Sequence, residues 1–142
     1  ALGPMLRVFV TAMLALLLCH AIGCSVDKIE HISPAALRQN AEQLTGKKVV
    51  VDGCIAWGRH GAAILSCDRN SPRRGLRILD PDDQLGPAFG AVAGALPFGG
   101  EIKAEVHGTV VTAEADQTEV SLGGPTSFLR VEKVLSPSRP GS

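Results

Sequence analysis

Hydrophobic residues follow three patterns along this chain. Between residues 6 and 22, "LRVFVTAMLALLLCHAI", they run almost unbroken. From 33 to 46, "SPAALRQNAEQLTG", they recur at helical spacing, with Leu37, Ala41 and Leu44 on one face. Ser33 is a good N-cap, Pro34 suits the first helical position and Gly46 is a natural stop, so the stretch predicts a short helix. Beyond Gly46 come β-branched and apolar runs: "KKVVVDGCIAW", "AAILSCD" (62–68), "GLRILD" (75–80), "EIKAEVHGTVVTA" (101–113) and "SFLRVEKVL" (127–135). These predict five strands. Gly108 in the fourth suggests a bulge or bend. In the fifth, Phe128 and Arg130 take the opposite face from Leu129 and Val131. The stretch "DDQLGPAFGAVAGALP" (82–97) fits either a short helix broken at Gly90 or Gly94 or a packed loop. Residues 25–32 read as a polar tether and 136–142, "SPSRPGS", as a disordered tail. The acidic "TAEADQTE" lies in the connection before the last strand.

The first two strands flank "GRHG". A two-residue turn at His60 and Gly61 pairs Arg59 with Ala62, and the ladder then sets Cys54 opposite Cys67. Counted out from the turn, that pair is a non-hydrogen-bonded one, with Cα atoms about 4.5 Å apart, within disulfide range. A disulfide closing so short a loop contributes about 2–3 kcal/mol. His31, His60 and His107 show no ligand spacing around the thiols and there is no CxxC, so neither a metal site nor a redox pair is expected.

The N-terminal run is short for a membrane span, which needs about 20 residues. Taken from Met5, the order is a short basic region, an apolar region and small residues, the layout of a secretory signal. Residues 1–4, "ALGP", have no assignable role. "AIGC" (Ala21, Ile22, Gly23, Cys24) resembles the lipobox of bacterial lipoproteins. Ala21 stands where that family usually has Leu, and Ile22 where a small residue is commoner. The resemblance implies a signal peptide over 1–23, cleavage before Cys24, lipidation of its thiol and acylation of its new amino group. It also implies a lipidated tether over 24–32. Ser25 after the cysteine implies export to the outer membrane, facing the periplasm. An ordinary cleaved signal and a retained single-pass anchor are the alternatives. Cys19 and His20 leave with the signal, and export makes the Cys54–Cys67 disulfide chemically favoured.

Composition narrows the function classes. The chain has 142 residues, with 14 basic and 14 acidic side chains. One domain, residues 33–135, is the expectation for this length. Zero net charge and few aromatics argue against a nucleic-acid binder. No nucleophile–base arrangement, paired carboxylates or metal signature stands out, so no enzyme and no cofactor are expected. Asp52, Asp68 and Asp80 read as strand-end residues.

Five strands with an interrupting connection after the third resemble the OB-fold, a five-stranded Greek-key barrel. The first strand is similar to the opening of small bacterial OB-fold families, at Leu44, Gly46, Lys47, Val49, Val51 and Gly53. "AEVHGTVV" and "FLRVEKVL" look like the family's last two strands. The resemblance implies a mainly β, OB-fold-like barrel with a short N-terminal helix. It also implies binding through strands 2 and 3 and the adjoining loops. That region gathers Trp57, Arg59, His60, Arg69, Arg73, Arg74 and Arg77. One reading is an anionic-ligand site with Trp57 as a stacking platform. The other is a solvated basic loop beside "DPDD", with Trp57 filling the barrel on the face of Val49, Val51 and Ile55. The expected function is a membrane-anchored envelope lipoprotein binding an envelope polymer, an anionic lipid or a protein partner. The alternative is a structural or assembly subunit of an envelope complex.

Overall fold

The computed structural model describes residues 28–70, 72–96, 99–113 and 126–141. The expected signal, Cys24, the start of the tether and the acidic connection lie outside these residues. The described elements are β1 (Glu30–Ile32), α1 (Pro34–Gln39), β2 (Lys48–Gly58), β3 (Gly61–Leu65), β4 (Gly75–Leu79), α2 (Leu85–Gly90), β5 (Gly100–Ala113) and β6 (Thr126–Ser138). The protein is mainly β, as the alternation predicts. The strands form one mixed six-stranded sheet in the order β1-β2-β3-β4-β6-β5, and β5 also pairs with β2. β5 takes one edge of β2, while β1 and then β3 share the other. The β1–β2 and β4–β6 pairs are parallel and the rest antiparallel.

The sixth strand is β1, in the segment expected to be a tether. "EHI" carries little apolar signal of its own. It becomes a strand because it pairs with Val49–Val51, a tertiary effect invisible to local pattern. The last strand likewise runs past residue 135. Lys103 of β5 pairs with Ser138, and Arg139 Nε donates to the Ala93 carbonyl at 2.7 Å. The first part of the expected tail is therefore held.

Both short helices form for local reasons. Ser33 caps α1, its Oγ accepting from the Ala36 N–H at 3.2 Å, and Pro34 takes the first turn. The helix ends at Gln39, short of the expected stop at Gly46, because the chain continues as successive turns over 40–46; Leu37, Ala41 and Leu44 are nevertheless all buried. The chain then enters β2 through the Gly46 N–H, which donates to the Val110 carbonyl at 2.7 Å. In the stretch left open between helix and loop, α2 forms over Leu85–Gly90. Asp80 stands before it, its carboxylate accepting from the Gln84 and Leu85 N–H groups at 2.7 and 2.9 Å. That satisfies two donors a helix start leaves unpaired.

One core joins these elements. Val49, Val51 and Ile55 of β2 meet Ile64 of β3, Ile102 and Val106 of β5, and Leu37 and Phe89 of the helices. The ladder of β5 and β6 shifts register between His107 and Gly108, the irregularity Gly108 signalled. Phe128 and Leu129 are both buried, although only Leu129 belongs to the core cluster. Alternation placed them on opposite faces, and here both faces are covered.

Candidate functional site

The candidate residues lie where the β2–β3 turn, the loop between β3 and β4, and the start of β5 come together. The turn differs from expectation. Gly58 pairs with Gly61, so Arg59 and His60 are the turn and Cys54 pairs with Leu65. A tight turn at His60 and Gly61 would put His60 at the first turn position, where the favoured types require positive φ. The chain instead keeps Arg59 and His60 out of the positive-φ region and gives that conformation to Gly61, at φ +110°, which glycine adopts without a Cβ penalty. The ladder moves by two residues, which preserves the face because side chains alternate with period two. Cys67, just past the end of β3, still meets Cys54, and the disulfide is formed with Cα atoms 5.1 Å apart.

The disulfide fixes the start of the 66–74 loop, and an ion-pair fork fixes its end. Arg73 donates from Nη1 to Glu101 Oε2 at 3.0 Å and from Nη2 to Glu101 Oε1. Its Nε donates to the Ser66 carbonyl at 3.0 Å. Arg69 Nη2 lies 3.6 Å from the same carboxylate. The Arg73 and Glu101 side chains are 25% and 16% exposed, so this fork is better shielded than an ordinary surface pair. Its hydrogen bond to Glu101 raises the pKa of Arg73, against a smaller opposing effect of burial. Glu101 was not legible as a partner. It lies 28 residues from Arg73 and reaches the loop because β5 pairs Glu101 with Ala56.

The structure therefore divides the seven candidates. Arg69 and Arg73 are drawn to Glu101. Trp57 sits at the end of β2, partly buried against the core, its ring edge-to-face with Phe89 at 5.2 Å. That contact favours the packing role over a stacking platform. Arg59, His60, Arg74 and Arg77 are exposed. Arg77 lies on the outer face of β4, opposite Ala63, and its Nη2 donates to the His60 carbonyl at 2.9 Å. The turn and the sheet face thus meet at one basic edge. Among the described residues, no carboxylate forms an ion pair with Arg59, Arg74 or Arg77. Two acids of the neighbouring "DPDD" hold backbone N–H groups: Asp80 at the start of α2, and Asp83 Oδ1 with the Gly86 N–H at 3.3 Å.

Among the described residues, no three His, Cys, Asp or Glu side chains converge as a metal site. No helix among them is long and apolar enough to cross a membrane. No family model, curated protein or solved structure matches the chain.

Proposed function

We propose that this chain is a lipid-anchored protein of the bacterial cell envelope. Its OB-fold-like barrel binds an anionic ligand at the basic edge formed by Arg59, His60, Arg74 and Arg77, without catalysis. The barrel reading is supported by the circuit β2–β3–β4–β6–β5, which the β5–β2 ladder returns to its start. The parallel β4–β6 pair and a helix between β4 and β5 support the Greek-key order. In such a barrel the face of β3 and β4, with the β2–β3 turn, is the usual ligand surface.

One observation carries the site. Arg77 joins the sheet face to the turn, while Glu101 serves the fork and Asp80 the start of α2. Positive charge at a fixed edge, with no ion-pair partner among the described residues, attracts anions. The lipid anchor rests on the lipobox at Cys24, and the outer-membrane, periplasm-facing location on Ser25. The Cys54–Cys67 disulfide is consistent with an oxidising compartment.

The Cys24→Ser protein made without residues 1–23 provides an anchor-free test. It should sediment with phosphatidylglycerol vesicles and not with neutral phosphatidylcholine vesicles, and salt should release it. Equal binding to both vesicles would overturn the anionic-ligand reading. If neither kind of vesicle binds the protein and charge reversal at Arg59, Arg74 and Arg77 removes only co-purifying proteins, an assembly subunit is the better description.

A further inference from the structure

The ladder between β4 and β6 spans two residue pairs, and we propose that the wedge where they separate binds a short extended peptide carrying a free carboxylate, taken up as an added strand. Their parallel ladder consists of Ile78 with Leu129 and Leu79 with Arg130. Before those pairs, each strand follows its other neighbour. Gly75, Leu76 and Arg77 stay with Leu65, Ile64 and Ala63 of β3. Thr126, Ser127 and Phe128 stay with Ala113, Thr112 and Val111 of β5. Each segment thus uses one edge in the sheet and turns the other toward the gap. A cavity of about 540 Å³ opens there, bordered by both segments and floored by residues 38–43.

The lining selects the occupant. A strand edge offers backbone donors and acceptors in a row, and an extended peptide matches it bond for bond. A peptide in this wedge has such an edge on both sides. Among the described residues, no aromatic side chain lines the cavity, so these offer no stacking platform of the kind that favours nucleobases. Among the described residues, Arg38 and Arg77 line it against one acid, Glu42. That balance favours a carboxylate, held by charge-assisted hydrogen bonds. Arg77 gives one N–H to the His60 carbonyl and retains others, since a guanidinium carries five. Gln39, Gln43 and Ser127 add neutral donors and acceptors along the wall. Arg77 is shared with the basic edge, but the two sites are separable: Arg38, Gln43 and Ser127 lie outside the basic edge, and Arg59 and Arg74 lie outside the wedge.

The test is amide chemical-shift mapping on the isotope-labelled full-length chain in detergent. The probe is a pool of random pentapeptides, prepared with free or amidated C-termini. The free-acid pool should shift the amides of Gly75–Arg77, Thr126–Ser127 and the 38–43 floor. Amidation should weaken this about tenfold, the effect of one charge-assisted hydrogen bond. Ser127→Trp, which fills the wedge, and Arg38→Glu should each remove the response while leaving the remaining spectrum folded. Inorganic pyrophosphate is the anion control. The proposal is overturned if the peptides move no wedge amide at millimolar concentration, if the shifts map to Arg59 and Arg74 instead, or if pyrophosphate alone reproduces the wedge pattern.

Discussion

Breaking the Cys54–Cys67 bond should cost about 3 kcal/mol of folding stability. The cysteines are 13 residues apart in sequence. Closing a loop of that length removes about 10 cal/mol/K from the unfolded chain in the chain-entropy treatment, or about 3 kcal/mol at room temperature. Reduction leaves both side chains in place, so oxidised and reduced wild-type protein form a cleaner pair than any cysteine substitution. Cys54 is fully buried. A Cys54→Ser change would add the cost of an unpaired hydroxyl. The assay is equilibrium urea unfolding with and without reductant, together with thiol labelling of the unreduced protein. Reduction should lower the stability by about 3 kcal/mol and raise the m-value, because the opened loop exposes more surface when unfolded. No thiol from this pair should label before reduction. A stability difference below about 1 kcal/mol, or a lower m-value, would refute the argument that the bond acts on the unfolded chain.

Other perturbations follow from single contacts. Gly75→Ala would place its Cβ 1.6 Å from the Ile64 carbonyl oxygen; it should lose more than about 3 kcal/mol or fail to fold, judged by circular dichroism and melting. Glu101→Gln removes the charge facing Arg73 and Arg69. It should cost about 1–2 kcal/mol and speed proteolytic nicking of the 66–74 loop, since the fork is better shielded than an exposed pair. Because Glu101 raises the Arg73 pKa, stability tied to Arg73 ionisation is complete below the ordinary arginine range. It is lost only as pH climbs through the raised value, so a titration from pH 5 to 9 should show no transition from this group. Cys24→Ser should abolish labelled-palmitate incorporation and stable membrane attachment, because the acyl chains supply the anchoring energy; label retained at residue 24 would remove the lipoprotein reading.

The parts legible in the sequence are those set by local chemistry. The cap of Ser33, the burial of Leu37, Ala41 and Leu44, and the burial of Val49, Val51 and Ile55 needed no distant partner, whereas the helix stops at Gln39 and not at the expected Gly46. The cysteine match survived a wrong turn because a two-residue slip keeps side chains on the same face. What stayed hidden was decided at long range. Strand β1 exists because β2 offers it an edge, β6 extends because β5 continues beside it, and Glu101 meets Arg73 because β5 passes the loop. "RNSPRRGLR" showed a basic cluster but not which of its arginines a carboxylate 28 residues away would engage. Nor did it show that Asp80 would be taken up by α2.

The measurement closest to the central claim is the affinity of the Cys24→Ser protein for fluorescent dextran sulfate, compared with the same protein carrying Arg59→Glu, Arg74→Glu and Arg77→Glu. The account predicts that wild-type side chains bind with an affinity that falls as salt rises. The triple reversal should weaken binding at least about a hundredfold, some 3 kcal/mol, while melting temperature stays unchanged. Undiminished binding by the triple variant, or loss of binding only on substitution of Arg69 or Arg73, would contradict it.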